Sequence, residues 1–150
     1  MLKVRLSNQN DTKDLFQWRN EITSRQMLFN SSLIEWNEHL SWHKNLLKNK
    51  NIHLLIGLNE NEEKVGVVYF NIQKNNTKVS INLSSQSRGR GLSKIFLMEG
   101  IKNFKKVFPY QKTILAEIKT KNIKSIKLFK SAGFIFVKET NNVVVYSINL

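Results

Sequence analysis

The chain has 150 residues, a length that fits one domain with a real hydrophobic core. Its 24 basic and 11 acidic residues give a net charge of +13, which favours anionic partners such as nucleotides, nucleic acid or a polyphosphate cofactor. The absence of cysteine from the sequence excludes disulfides, thiolate metal ligands and a cysteine nucleophile, and the three histidines show no metal-ligand spacing.

Neither a targeting segment nor a membrane span is predicted. The first residues are too polar for a signal peptide, and no apolar run approaches the length of a spanning helix. Together with the missing cysteines, this pattern indicates a cytoplasmic protein that does not insert into a membrane and needs no metal.

The N-terminal third predicts one strand and two helices. Apolar alternation favours a strand over 2–6, and Asn10 or Asp11 is suited to cap the helix that follows. This helix should bury Leu15, Trp18 and Ile22. Residues 23–33 lack periodicity and predict a loop, whereas helical spacing returns over about 35–49. The positions at that spacing are Trp36, Leu40, His43 and Leu47.

The middle of the chain predicts three antiparallel strands joined by short turns. They cover 52–58, 65–72 and about 79–83. The third strand leads into a helix that should end before Pro109, because proline lacks an N–H and disfavours helix in its predecessor. The apolar face of this helix consists of Leu97, Ile101, Phe104 and Phe108.

The C-terminal part predicts a strand, a helix and a hairpin. The strand covers 114–118, Asn122 caps the helix, and Gly133 ends it. The hairpin turns at Asn141-Asn142, and its strands cover 135–138 and 143–148. Because the strand–helix–strand piece should form a right-handed crossover, the element order indicates a single α+β or mixed α/β domain.

A basic loop with two glycines joins the third middle strand to the central helix. Gly89 and Gly91 allow positive φ angles and a close approach of the backbone to a ligand. The first N–H groups of the helix lack intrahelical partners and carry the positive end of the helix dipole. Arg88, Arg90 and Lys94 add full positive charges, so the loop is suited to bind a pyrophosphate. The alternative is a simple turn, and the spacing matches neither a P-loop nor a dinucleotide fingerprint.

Two motifs resemble those of the GNAT acetyltransferase superfamily, and they occur in the same order as in that superfamily. The segment Arg88-Gly89-Arg90-Gly91-Leu92-Ser93 is similar to its Gln/Arg-x-x-Gly-x-Gly/Ala loop, with Ser93 where Gly or Ala is usual. The register that begins at Gln86 and ends at Gly91 also matches. The segment Asn122-x-x-Ser125-x-x-x-Phe129-x-x-x-Gly133-Phe134 looks like the superfamily's Asn-x-x-Ala/Ser-x-x-x-Tyr-x-x-x-Gly-Phe. The resemblance implies one GNAT domain over 1–150, with a mixed, mostly antiparallel sheet of about seven strands flanked by four helices.

The resemblance also implies acetyl-CoA as the co-substrate. The loop backbone should hold its pyrophosphate, and the edge of the 81–83 strand should hydrogen-bond the pantetheine amides like an added strand. Asn122 should contact the cofactor arm, act as a helix cap, or do both, and Phe129 should pack beside the arm. The implied cofactor residues are Ile81, Asn82, Leu83, Arg88, Gly89, Arg90, Gly91, Leu92, Ser93, Lys94, Asn122 and Phe129.

Direct transfer of an acetyl group to an amine needs a base, because an alkylammonium cannot attack a carbonyl. Glu117 lies in the register where some GNAT enzymes place this base; alternatively it is a surface carboxylate paired with Lys112 or Lys119. Many relatives protonate the leaving thiolate with a tyrosine where Phe129 stands, and phenylalanine cannot donate a proton. Ser125, one helical turn earlier, is either the donor or a small packing residue.

The N-terminal third usually shapes the acceptor site in this superfamily. Its Trp-Arg-Asn and Glu-His-x-x-Trp segments are similar to acetyltransferases that modify the 4-amino group of a nucleotide-linked 4-amino-4,6-dideoxy sugar in bacterial surface-glycan synthesis. Arginines are suited to clamp a phosphate or hydroxyl, and Trp42 or Phe29 to stack on a base or sugar. The candidate acceptor residues are Arg19, Asn20, Arg25, His39 and Trp42.

These acceptor positions also have a structural interpretation. Trp18, Trp36 and Leu40 lie at core spacing, and His43 shares the same apolar stripe, so a buried histidine is expected there. The two arginines have acidic residues nearby in the sequence with which to pair, namely Glu21 and Glu35.

Two other functions stay open at the level of sequence. A protein N-terminal or ribosomal-protein acetyltransferase shares the register of Glu117 and would have an open peptide groove beside the cofactor strand. A GNAT-like module without chemistry would bind RNA through its basic surface, although the sequence lacks the interleaved aromatic and basic residues of an RNA platform. A homodimer also stays open.

Overall fold

The computed structural model describes residues 1–27, 32–74 and 76–150, with the side chains of residues 22, 23 and 27 excepted. Its strands form one sheet in the order β1-β2-β3-β4-β5-β7-β6. The strands are β1 Lys3–Leu6, β2 Ile52–Leu58, β3 Lys64–Ile72, β4 Thr77–Leu83, β5 Thr113–Lys119, β6 Ile135–Thr140 and β7 Val143–Asn149. The helices are α1 Thr12–Asn20, α2 Ile22–Met27, α3 Trp36–Leu46, α4 Leu92–Val107 and α5 Ile123–Ser131. Short 3₁₀ turns over Gln9–Asp11 and Ser85–Ser87 precede α1 and α4.

All neighbouring strands in the sheet are antiparallel except β4 and β5, which are parallel. This arrangement confirms the three antiparallel strands predicted in the middle of the chain and the strand–helix–strand connection that follows them. The seven strands and the four helices of nine residues or more also confirm the predicted fold class.

The larger hydrophobic core lies between the sheet and helices α4 and α5. Phe96, Leu97 and Phe104 of α4 are fully buried, and Phe104 stacks on Phe70 of β3 with ring centroids 4.5 Å apart. Burial of one such side chain contributes about 1.5–3 kcal/mol. The core therefore holds α4 firmly, and with it the glycine loop from which the helix starts.

The opposite face of the sheet carries the N-terminal helices. Leu15 and Trp18 of α1 pack on Leu54 and Ile56 of β2 in a second, smaller core. Helices α2 and α3 both contact α1. The sheet thus separates α4 and α5 on one face from α1, α2 and α3 on the other.

Two features of these N-terminal helices differ from the sequence prediction. Helix α2 occupies Ile22–Met27, where missing periodicity predicts a loop. Helix α3 is rotated so that His39 and His43 are fully buried, whereas Trp36 and Leu40 are 40% and 42% exposed. The prediction of a core role for Trp36 and Leu40 is therefore wrong, and that of a buried His43 is confirmed.

The rotation of α3 follows from polar contacts that its two histidines make with the β1–α1 connection. His43 Nδ1 lies 2.7 Å from Thr12 Oγ1, and its Nε2 lies 3.0 Å from Ser7 Oγ. Thr12 Oγ1 donates to Gln9 O at 2.8 Å, so it accepts from His43 Nδ1, which fits a neutral ring. Burial lowers the pKa of His43. These bonds satisfy a buried imidazole, which a purely apolar environment would leave unpaired.

Asp11 anchors the same connection from a fully buried position. Arg5 binds its two carboxylate oxygens at 2.8 and 2.9 Å, and Lys64 Nζ lies 2.9 Å from Oδ1. Burial by itself raises the pKa of Asp11, but the hydrogen bonds from Arg5 and Lys64 outweigh it and hold that pKa well below its usual range. Asp11 therefore stays ionised and ties β1, β3 and the start of α1 together.

The C-terminal turns follow the prediction closely. Asn141 and Asn142 adopt φ angles of 52° and 64° at the β6–β7 turn, a region that asparagine tolerates better than most residues. Gly133 ends α5 with φ 95°. Helix α4 ends at Val107, two residues before Pro109.

Candidate active site

A cleft opens where β4 and β5 part. These parallel strands share only two registered pairs, Thr77 with Ile114 and Lys78 with Leu115. Beyond them, β4 continues to Leu83 and β5 to Lys119 without further register between the two. The inner edges of both strands then present backbone groups that a ligand with amide groups can pair with in the manner of an added strand. This geometry fits the predicted pantetheine site at Ile81, Asn82 and Leu83.

The glycine loop lies at the end of β4, directly before α4. Gly89 and Gly91 have φ angles of 73° and 72°, and a Cβ at either position would meet nothing within 4 Å. Glycine is thus needed here for its left-handed conformation rather than for space. Gly91 is the N-cap of the 16-residue α4 and supplies no side-chain cap, so the first N–H groups of the helix stay open to an anion.

The charged residues of the loop divide into two groups. Arg90 and Lys94 are exposed, as a pyrophosphate site needs. Arg88 turns to the opposite side, where its Nη2 donates to Ser24 Oγ at 2.6 Å and to Asn82 Oδ1 at 3.1 Å. The same nitrogen lies 3.3 Å from Glu21 Oε2. The guanidinium of Arg88 is therefore engaged with the N-terminal helices, and this position does not fit the predicted contact with the phosphates.

Glu117 lies on β5, on the face that carries the N-terminal helices. Its neighbours Ala116 and Ile118 point into the larger core, while Glu117 is exposed and its Oε1 lies 2.7 Å from Lys78 Nζ. Its ion-pair partner is thus Lys78 of β4, and not Lys112 or Lys119 as the structural interpretation of the sequence has it. The pair spans the point where the two strands begin to part.

Glu117 also borders a cleft of about 410 Å³ that extends towards the β6–β7 turn. Lys138, Thr140 and Asn141 line the other end of this cleft. The cleft thus places a carboxylate next to a cationic and two neutral polar side chains, which is a suitable surface for a polar acceptor.

The residues of the second motif lie at the start and in the interior of α5. Asn122 is the N-cap, and its Oδ1 accepts from the backbone N–H of Ser125 at 3.2 Å, as the capping interpretation predicts. Ser125 is half-buried on the first turn. Phe129 is 2% exposed and packs edge-on against Phe134 with centroids 4.9 Å apart. Its burial fits a core role rather than the predicted packing beside the cofactor.

Arg19 and Trp42 form one surface in the N-terminal region. The Arg19 guanidinium carbon lies 4.0 Å from the centroid of the Trp42 ring, a cation–π contact. Burial lowers the pKa of Arg19, and the charge of Glu38 opposes that effect. Both side chains remain candidates for the acceptor site, already stacked on each other. The proposed stacking partner Phe29 lies outside the described residues.

The other three acceptor candidates are engaged with the protein itself. His39 is fully buried; its Nε2 donates to Thr12 O at 2.7 Å, and its Nδ1 lies 3.4 Å from Arg19 Nη1. Burial lowers the pKa of His39 despite the bond to Thr12 O. Asn20 binds the backbone of Ile34 through both ends of its amide, at 2.9 and 3.0 Å. Arg25 Nε donates to Asn20 O at 3.2 Å. His39 and Asn20 are thus better explained as structural, and Arg25 is engaged through its Nε.

Several residues around the cleft are missed by reasoning from sequence. Lys78 lies on β4 directly before the predicted strand over about 79–83, and no motif singles it out. The remaining missed residues are Glu21 and Ser24, which contact Arg88, and Lys138, which lines the 410 Å³ cleft together with Glu117. These partners come from distant segments, so local patterns do not reveal them.

The parted strands, the glycine loop and the sheet order together form the candidate cofactor site. The chain belongs to the acetyltransferase (GNAT) domain family, whose model matches residues 2–135. By this membership it is an acetyl-CoA-dependent N-acetyltransferase. This membership confirms the class of enzyme and the co-substrate that the two motifs predict.

Solved structures share the fold along the whole chain. A domain from Methanocaldococcus jannaschii is 27% identical with a TM-score of 0.86, covering 100% of this chain and 99% of that one. Spermidine N-acetyltransferase from Vibrio cholerae, in complex with CoA and spermine, is 12% identical with a TM-score of 0.89, covering 99% and 95%. An aminoglycoside acetyltransferase in complex with coenzyme A is 13% identical with a TM-score of 0.82, covering 99% and 95%. No curated protein sequence matches this chain.

Three further findings concern the oligomeric state of a similar protein, membrane-spanning helices and metal-binding groups. One structure of the Vibrio cholerae enzyme is dodecameric. Across residues 1–27, 32–74 and 76–150, no helix is both long and apolar enough to cross a membrane. Among the same residues, no three His, Asp or Glu side chains come together in a group that would hold a metal ion.

Proposed function

We propose that the acetyl group passes directly to a primary amine at the open end of the β4–β5 cleft, with Glu117 as the base. The observation that carries this proposal is the divergence of the strands after Lys78 and Leu115, with Glu117 at the point of divergence. A ligand inserted between the strands would bring its reactive end next to this carboxylate.

The cofactor site proposed here extends from the cleft to the loop. The edge of β4 at 81–83 pairs with the pantetheine amides, and the backbone N–H groups of 89–94 bind the pyrophosphate. Arg90 and Lys94 supply the neutralising charge, since both side chains are exposed beside this backbone. Asn122 contributes through the start of α5, whose first turn it fixes.

Acetyl-CoA supplies a thioester carbonyl that a neutral amine attacks, and the C–S bond breaks as the C–N bond forms. Glu117 takes the proton that the ammonium must lose first, either directly or through one water. Lys78 holds Oε1 of Glu117, so the carboxylate is oriented while its exposed side faces the cleft.

Ser125 is the proposed donor of a proton to the departing thiolate. It stands on the first turn of α5, and its backbone N–H is bound by Asn122 Oδ1 at 3.2 Å. This bond fixes the backbone of Ser125 at the N-terminal end of a helix, where a developing negative charge is favoured. Phe129, in the place of the usual tyrosine, has no proton to give.

For the acceptor we propose the 4-amino group of a nucleotide-linked amino-dideoxy sugar, as used in bacterial surface glycans. The net charge of +13 attracts a diphosphate carrier and repels a polycation such as spermidine. Lys78 pairs with Glu117, and Lys138 lines the 410 Å³ cleft that Glu117 borders, so basic side chains lie on both sides of the proposed acceptor position. Arg25 and the Arg19–Trp42 surface are candidate contacts for the carrier.

A small acceptor is favoured over a peptide by the way α1 and α2 cover the cleft. Asn82 of β4 donates to Trp18 O at 3.3 Å and accepts from Ser24 Oγ at 3.1 Å. Lys119 of β5 reaches Gln26 O at 3.5 Å. The N-terminal helices thus contact both strands of the cleft on this face, where a peptide acceptor would need an open groove.

The test is release of the CoA thiol with four amines at equal concentration. These are a nucleotide-linked 4-amino-4,6-dideoxy sugar, spermidine, kanamycin and a peptide with a free N-terminus. We expect kcat/KM for the amino sugar to exceed the others by at least about tenfold, the discrimination that a few polar contacts provide. A higher value for spermidine or the peptide would contradict the proposed acceptor while leaving the acetyltransferase chemistry in place.

A further inference from the structure

Arg88 connects the cofactor loop to the N-terminal helices that cover the cleft. It directly precedes Gly89, yet two of its partners, Glu21 and Ser24, lie more than 60 positions earlier in the chain. We call this segment, residues 18–25 at the junction of α1 and α2, the α1–α2 corner. The guanidinium therefore joins the loop proposed to bind acetyl-CoA to the helices proposed to cover the acceptor.

Three contacts converge on Arg88 Nη2. It donates to Ser24 Oγ at 2.6 Å and to Asn82 Oδ1 at 3.1 Å, and it lies 3.3 Å from Glu21 Oε2. Ser24 Oγ in turn donates to Asn82 Oδ1 at 3.1 Å, and Asn82 Nδ2 donates to Trp18 O at 3.3 Å. One side chain thus links the loop, the middle of the cofactor strand and the corner.

Partial burial of Arg88 and Glu21 makes the loss of their contact costly in free energy. The side chains of Arg88 and Glu21 are 29% and 18% exposed. Glu21 Oε2 is shielded from solvent, and among the described residues no donor is aligned on it as a hydrogen bond, so its charge is balanced chiefly by Arg88. Loss of the guanidinium would leave a shielded carboxylate without its counter-charge, which is strongly unfavourable.

We propose that Arg88 is a positioning residue that couples occupancy of the cofactor loop to the order of the α1–α2 corner. The loop around the two glycines must settle into one conformation to bind a pyrophosphate. Arg88 follows the loop backbone, so a fixed loop fixes the guanidinium and, through it, Glu21 and Ser24. Coupling of this kind is reciprocal: a bound acceptor that orders the corner also favours the bound form of the loop.

The proposal assigns Arg88 a different task from that of its neighbour Arg90. Arg90 is exposed in the same loop and lines a cleft with Gln86 and Ser87. It therefore serves as the matched control, since it has the same charge and lies in the same loop but makes no contact with the corner in the described structure.

The experiment compares the wild type with Arg88→Met and Arg90→Met. Acetyl-CoA affinity is measured by calorimetry, and amide hydrogen exchange across 18–27 is measured with and without acetyl-CoA. In the wild type, acetyl-CoA should slow exchange in the corner. Arg90→Met should raise the Kd by about tenfold, the loss of one charge-assisted bond, and keep that protection when saturated. Arg88→Met should bind acetyl-CoA more tightly than Arg90→Met but lose the protection.

A second variant controls for destabilisation of the folded protein. Arg88→Met with Glu21→Gln removes both charges, so no uncompensated carboxylate remains, and this pair should fold while still lacking the acetyl-CoA-dependent protection. Protection equal to that of the wild type in both Arg88 variants would overturn the proposal. A Kd for Arg88→Met as high as for Arg90→Met would instead make Arg88 a phosphate ligand and overturn it too.

The coupling proposal rests on the proposed function of the loop as the pyrophosphate site. Different results would contradict the loop site and the coupling. An unchanged acetyl-CoA affinity in Arg90→Met and in Gly91→Val would refute the loop site. The exchange data for Arg88→Met would still decide whether the corner responds to the cofactor through this side chain.

Discussion

At the scale of single residues, Glu117 has the position and the partner expected of a base that must be both oriented and accessible. Glu117→Gln keeps the size of the side chain and an oxygen for Lys78, so folding and acetyl-CoA binding should persist. We expect kcat to fall by roughly 10²–10⁴-fold, the usual contribution of a general base. The pH–rate profile should move to alkaline pH, because the amine must then lose its proton to solvent.

The matched control for this change is Glu139→Gln on the edge strand β6, which removes an exposed carboxylate of similar charge. It should leave kcat and the profile as in the wild type. Steady-state kinetics across pH with the best amine of the panel checks both variants. An unshifted profile in Glu117→Gln would remove Glu117 from the proton transfer.

Phe129 is the residue at which this chain departs from the usual motif, and its burial decides what restoring a tyrosine would do. The ring is 2% exposed against Phe134, so a hydroxyl there would be taken out of water. We expect Phe129→Tyr to lower the free energy of unfolding by about 1–3 kcal/mol, the cost of an unpaired buried hydroxyl. It should not raise kcat.

Denaturant unfolding and kcat, measured on the same preparation, check this prediction. Phe129→Leu is a useful comparison, because it loses packing without adding a polar group. A stable Phe129→Tyr enzyme with a higher kcat would mean that the hydroxyl reaches the leaving thiolate, and Ser125 would then lose its proposed role.

At the scale of elements, α3 is held by two buried histidines, and this makes the N-terminal region sensitive to acid. Burial lowers the pKa of His39 and of His43. The unfolded chain, with a pKa near 6.5, therefore takes up protons before the folded chain does. Stability should be complete above about pH 7 and should fall as the pH drops below roughly 6.5, by at most about 1.4 kcal/mol per pH unit for each histidine.

The charged groups that face these rings are Arg19 for His39 and Asp11 for His43. Asp11 acts in the same direction but at lower pH: its pKa is also lowered, so its contribution is complete above about pH 4 and is lost as the pH falls below that value. Melting temperatures at pH 7.5 and 5.5 check the account. The His39→Gln, His43→Gln double variant should lose less stability over this interval than the wild type; equal losses would contradict the role of the two rings.

The elements also show which parts of the structure local pattern can predict. The glycine loop, the three middle strands and the Asn141-Asn142 turn were readable because alternation and left-handed φ angles leave a signal within a few residues. The orientation of α3 could not be predicted, because histidine is polar and the burial of His39 and His43 depends on hydrogen bonds to Ser7 and Thr12 from an earlier segment. The short helix α2 was not predicted because its six residues show no periodic apolar stripe.

At the scale of the whole molecule, the sheet brings together partners that the sequence keeps apart. Arg88 was predicted to bind phosphate because it belongs to a basic loop, but its contacts with Glu21 and Ser24 exist only once α1 and α2 lie over β4. The Lys78–Glu117 pair likewise depends on two strands that meet across the crossover. Family motifs thus predict the cofactor side of the site, whereas the proposed acceptor side rests on tertiary contacts.

The central claim is that acetyl-CoA binds along the parted edge of β4 with its pyrophosphate on the 89–94 loop. The most direct test is thermal unfolding with and without acetyl-CoA in the wild type, Gly91→Val and Gly133→Val. Both glycines have positive φ, 72° and 95°, so both variants carry a similar backbone strain, but only Gly91 lies in the loop. At about 100 times Kd, acetyl-CoA should add roughly 2.7 kcal/mol of stability to the wild type and to Gly133→Val, and far less to Gly91→Val. Equal stabilisation of all three proteins, or none of the wild type, would contradict this account of the site.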